Sequence, residues 1–85
     1  MKTFEYTIKD ELGIHARPAG LLVKAVKATG CTITIEKDGK KADAARLFNV
    51  MGLGIKCGDT VTIYCEGEKE DEALSQMKAF FESNL

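Results

Sequence analysis

The segment Gly13-Ile14-His15-Ala16-Arg17-Pro18-Ala19-Gly20 holds the only histidine of the chain and its only proline, with an arginine between them. An apolar helical pattern starts here, which puts His15 at a loop-to-helix junction. A helix start presents backbone N–H groups without intrahelical partners, and the helix dipole adds about half a positive charge. An anion placed there is stabilised. Arg17, in the same first turn, offers a forked and permanently charged donor suited to phosphate oxygens. A neutral imidazole beside such a cradle keeps a lone pair that can attack a phosphoryl group, a transfer helped mainly by positioned positive charge. The pattern points to a phosphoryl group on His15 with its oxygens over the backbone amides of the helix start.

The plainer reading of a lone histidine near a helix start is a surface or capping residue. Two features weigh against it. No other titratable nucleophile in the chain has comparable support, and Arg17, Lys24 and Lys27 recur at i, i+7 and i+10 along one side of the helix leading away from His15. A solvated face would give the same stripe. Elsewhere, Cys31, Cys57 and Cys65 form no C-x-x-C pair and have no histidine cluster around them, so no metal and no cofactor is expected. Cys31 and Cys65 continue alternating apolar series and read as reduced packing residues; Cys57, beside Gly58, is the one open to reaction. The glycine-rich stretch Gly52 to Gly58 is no dinucleotide fingerprint. Its third glycine comes one residue late and it leads into a strand, where the fingerprint opens a helix.

The elements that must hold this site are legible in the hydrophobic pattern. Lys2 to Lys9 alternates, with Phe4, Tyr6 and Ile8 on one side, as a half-buried strand requires. Cys31, Ile33 and Ile35 form the inner face of a second strand that runs into Asp38-Gly39, a strong hairpin signal, and Lys40 to Asp43 is the return strand. Thr60 to Glu66 is a fourth, with Val61, Ile63 and Cys65 inward. Helical spacing of Ala19, Leu22, Val23 and Val26 predicts a helix over Ala16 to Ala28, with Gly30 as its stop. Pro18 lies in its first turn, where a missing N–H is no loss. A short helix is expected over Leu47 to Met51. A last one spans Glu70 to Ser83 and carries Ala73, Leu74, Met77, Phe80 and Phe81 as an apolar stripe. The order βαββαβα, with three helices on one face of a four-stranded antiparallel sheet, makes an α+β two-layer domain spanning residues 1–85.

Composition sets the outer limits. With 85 residues, 45% hydrophobic, 29% charged and a net charge of −1, the chain is neither a disordered tail nor a disulfide-dense mini-protein. At this size about 63% of the extended chain's surface can be buried on folding. No apolar run nears the roughly 20 residues of a membrane span, and the start lacks the apolar core of a secretion signal, so a cytoplasmic protein without membrane insertion is expected. The charges are unevenly spread: +2 over residues 1–30, +2 over 31–58 and −5 over 59–85. A near-neutral total lacks the broad basic face of a nucleic-acid binder, while local attraction for an acidic partner survives.

Over essentially its whole length the chain resembles the bacterial HPr family, the phosphocarriers of the phosphoenolpyruvate-dependent sugar phosphotransferase system. Gly-Ile-His-Ala-Arg-Pro-Ala at 13–19 is similar to the family's active-site signature, and Leu47-Phe48 with Met51-Gly52-Leu53-Gly54 to its second characteristic region. The resemblance implies an open-faced β-sandwich in which His15 accepts a phosphoryl group at Nδ1 from phosphorylated Enzyme I and passes it to IIA domains of sugar permeases. The resemblance implies a stoichiometric carrier of this kind, not a turnover enzyme. Arg17 and the backbone N–H groups of Ala16 and Arg17 would steady the phosphoryl group. Leu47, Phe48 and Met51 would form the apolar centre of a docking surface, flanked by Gly20, Lys24 and Lys27. An exposed apolar cluster with a basic rim suits weak, fast exchange between acidic partners; the plain alternative is that Leu47 and Phe48 close the core, Phe48 foremost. In many Gram-positive members the residue before the second helix is a serine phosphorylated by a dedicated kinase. Here it is Arg46, and the only serines are Ser75 and Ser83, so no regulatory serine is expected and Arg46 reads as a solvated charge. The alternative to a carrier is a regulatory adapter of the same fold that binds a protein partner without carrying phosphate.

Overall fold

A computed structural model describes all 85 residues, Met1 to Leu85. The elements are β1 (Lys2–Thr7), α1 (Ala16–Thr29), β2 (Thr32–Lys37), β3 (Lys40–Asp43), α2 (Leu47–Met51), β4 (Thr60–Glu66) and α3 (Glu70–Asn84). The strands form one antiparallel sheet in the order β1-β4-β2-β3. This register lines up side chains across the inner face: Phe4 opposes Ile63, Ile63 opposes Ile35, and Ile35 opposes Ala42. Such cross-strand rows supply the sheet's half of the core. The helices supply the other half through Ala19, Leu22 and Val26 of α1, Val50 of α2, and Ala73, Met77 and Phe81 of α3. All of them join one cluster of 17 buried residues. Phe81 is its aromatic hub, meeting Phe4, Tyr6 and Phe80 edge-on at 5.9, 5.5 and 6.0 Å, contacts worth roughly 0.5–1.5 kcal/mol each beyond area burial.

The α+β architecture agrees with expectation, and the small departures have local causes. The regular β1–β4 ladder ends at Thr7: the Ile8 N–H still donates in register to Asp59 O at 2.9 Å, but the Ile8 carbonyl accepts from the Gly58 N–H at 2.8 Å and the Lys9 N–H turns to Leu85 O. Ile8 is still buried. Cys31 stays outside β2, since its N–H donates to the Thr29 hydroxyl at 3.1 Å, while that hydroxyl donates to Val26 O at 2.7 Å. The same bond draws α1 on to Thr29 before Gly30 closes it in the left-handed region at φ 70°. Asp38 and Gly39, at φ 52° and 81°, make the hairpin turn that their types call for. No helix is long and apolar enough to cross a membrane.

Candidate functional site

His15 is the N-cap of α1. Its backbone is extended, at φ −90° and ψ −176°, and its side chain does not cap the helix. Two backbone features fix it there. The Ala19 N–H donates to His15 O at 2.9 Å, and the preceding Ile14 N–H donates to Ile55 O at 3.1 Å while Ile14 itself is buried. The loop carrying the histidine is thus pinned to the segment before β4. Gly13 makes that approach possible, because a Cβ there would lie 2.4 Å from Ile55 O, and its φ of 66° suits glycine.

The first turn of α1 holds no acidic residue. Pro18 stands at its third position and lacks an N–H, so the first-turn amides are those of Ala16 and Arg17, and neither finds an acceptor within the chain. Ala16 and Arg17 are both exposed, and Arg17 takes part in none of the molecule's four ion pairs. Beside them a cleft of about 190 Å³ is lined by Asp10, His15, Arg17, Pro18, Leu21 and Asn84. A water molecule takes roughly 30 Å³ of liquid, so a tetrahedral oxyanion fits. His15 and Arg17 therefore line one space able to hold a phosphoryl group, while Ala16, exposed between them in the chain, is not among its lining residues.

The remaining residues singled out in the sequence do not line this cleft. Gly20, Lys24 and Lys27 are exposed along α1. α2 packs against α1 and carries Phe48, 83% exposed, and Met51, 38% exposed. The structure corrects one expectation: Leu47, half-buried, packs against the core, and Phe48 points to solvent. In a helix of five residues only one face can reach the core, and Val50 and Leu47, at i and i+3, occupy it. Arg46 is the N-cap of α2, exposed, with its Nε 3.7 Å from Asp43 Oδ2. Three cleft residues escaped the sequence reading. Leu21 lies off the Ala19–Leu22–Val26 core face and is 45% exposed. Asp10 had a usable signal in the Asp-x-x-Gly spacing of a turn, realised as the Gly13 N–H donating to Asp10 O at 2.9 Å. Asn84 arrives from the far end of the chain and had none.

Residues 2–83 match the PTS-HPr family, described as the PTS HPr component phosphorylation site. The chain is 42% identical over 77 residues to the phosphocarrier protein HPr of Lysinibacillus sphaericus, covering 91% of this chain and 88% of that one. It is 41% identical over 75 residues to the HPr-like protein Crh of Halalkalibacterium halodurans, covering 88% and 89%. Among solved structures, HPr-C-His from Thermoanaerobacter tengcongensis superposes with a TM-score of 0.93 at 37% identity, over 99% of this chain and 94% of that one.

Proposed function

The chain belongs to the PTS-HPr family, and on that premise we propose that it is a phosphoryl carrier working through His15. Phosphorylated Enzyme I is the donor and the IIA domains of sugar permeases are the acceptors, with the exchange taking place in the cytoplasm. His15 Nδ1 attacks phosphorus, the N–P bond forming as the bond to the donor breaks. The phosphoryl oxygens then lie over the Ala16 and Arg17 amides with the Arg17 guanidinium beside them, where developing charge is stabilised by donors already in place. Return transfer gives the electron pair back to the ring. The protein ends unchanged only after both steps, so it acts stoichiometrically in a relay.

The observation that carries this reading is an imidazole that caps nothing, at a helix start with two unpartnered amides and an unpaired arginine. Phe48 and Met51 on α2, with Gly20, Lys24 and Lys27 on α1, form the docking surface for acidic partners, and the half-buried Leu47 supports it from the core side. Arg46 leaves that surface without a serine for kinase control. Incubation with phosphoenolpyruvate and Enzyme I is expected to add one acid-labile phosphate by mass, absent in His15→Ala. No gain with several Enzyme I homologues would favour the second reading, a regulatory adapter, which the similarity to an HPr-like protein Crh brings forward. An adapter has no need of a nucleophile at the helix start.

A further inference from the structure

The cleft beside His15 contains a carboxylate that the transfer reading leaves without a role. Asp10 is held on its wall by three bonds: its N–H donates to Leu85 O, its carbonyl accepts from the Gly13 N–H, and its Oδ1 accepts from the Leu12 N–H, each at 2.9 Å. It belongs to none of the four ion pairs, so no basic side chain lies within salt-bridge distance of it. Arg17 and His15 are the other titratable groups lining the cleft, and Asn84 commits its amide to Phe80 O at 3.0 Å. A phosphoryl group on His15 would therefore share about 190 Å³ with a fixed negative charge.

We infer that Asp10 tunes the transfer potential of phosphorylated His15: its carboxylate repels the phosphoryl oxygens that Arg17 and the helix amides attract, so the group is held for exchange and not for storage. This rests on the carrier reading. When an acceptor nucleophile attacks phosphorus, the new bond forms as N–P breaks, the electron pair returns to the imidazole, and the departing negative charge relieves its repulsion with Asp10. Repulsion present in the phosphorylated state and relieved on the way out favours transfer onward. Asp10 touches no reacting atom and is a positioning charge.

Asp10→Asn tests this cleanly, because the amide oxygen still accepts from the Leu12 N–H while the charge is gone. Equal amounts of 15N-labelled parent and unlabelled variant are equilibrated with limiting phosphoenolpyruvate and catalytic Enzyme I, and phosphate on each is read by mass at alkaline pH. At low salt the variant is expected to hold about three to five times more phosphate than the parent, a ratio falling toward one in 1 M salt as the repulsion is screened. Equal phosphorylation at low salt overturns the role of Asp10 and leaves the carrier reading intact. A ratio unmoved by salt overturns it too, since it would report a changed shape and not a charge. Absence of phosphate from both proteins defeats the carrier reading, and this inference with it.

Discussion

Arg17 has no ion-pair partner inside the chain, and in the proposed carrier its guanidinium is free to follow a phosphoryl group through arrival and departure. Reversing that charge should fall on transfer and spare folding. Arg17→Glu is expected to slow phosphoryl transfer by about 10²–10³-fold, the range seen when one donor to a developing oxyanion is lost. Its melting temperature should stay within about 3 °C of the parent's, as for exposed substitutions that break no contact. Paired transfer assays and thermal melts check this, and a large fall in melting temperature would mean that Arg17 supports the fold. The contrast with Phe48 shows what sequence alone leaves open at this scale. Arg17 is polar and its exposure could be foreseen. Leu47 and Phe48 are adjacent apolar residues in a one-turn helix, and only the packing of that turn decides which of them enters the core.

At the scale of elements, the site depends on a loop that must reach one place and a helix that must start there. Gly13 and Gly20 sit on either side of His15 and test the two requirements separately. At Gly13 a Cβ would lie 2.4 Å from Ile55 O and 2.7 Å from Lys56 Cα, on a backbone with φ 66°. Gly13→Ala should therefore cost about 3 kcal/mol through left-handed strain and forced displacement, lowering the melting temperature by roughly 15 °C. It should also slow transfer, because the displaced loop carries His15. At Gly20 nothing lies within 4 Å of a Cβ and the backbone is helical. Gly20→Ala should stabilise the fold by about 0.5–1 kcal/mol. Thermal melts of both variants decide the matter, and similar changes in the two would refute the packing argument. Element bounds were readable because alternation and helical spacing are local: β3, β4 and α2 lie where the pattern puts them. The end of β1 was not, because it is set by Gly58, whose N–H donates to Ile8 O, and by Leu85, whose carbonyl takes the Lys9 N–H, both far away in sequence.

Across the whole molecule the same division holds. The α+β class followed from the order of elements, whereas the strand order β1-β4-β2-β3 and the meeting of Asp10, His15 and Asn84 in one cleft depend on pairings between distant segments. One such long-range tie is Lys37 at the end of β2. Its Nζ donates to Gly54 O at 2.9 Å and lies 2.9 Å from Asp59 Oδ2, joining the hairpin, the turn after α2 and the approach to β4. The same Oδ2 of Asp59 also accepts from the Lys56 N–H at 2.8 Å. The hydrogen bond from Lys37, then that from the Lys56 backbone, hold the Asp59 carboxyl below its ordinary value of 3.8. A carboxylate whose acidity is strengthened by folding contributes stability that is fully present above the unfolded-state value and is lost as the pH falls through the folded-state value. Asp59→Asn should accordingly melt at a lower temperature than the parent at pH 7, with the gap closing as the pH is taken below about 4. Melting curves of both proteins from pH 7 to pH 2.5 measure that gap, and one that stays constant, or widens in acid, would remove Asp59 from the groups that fasten these three segments together.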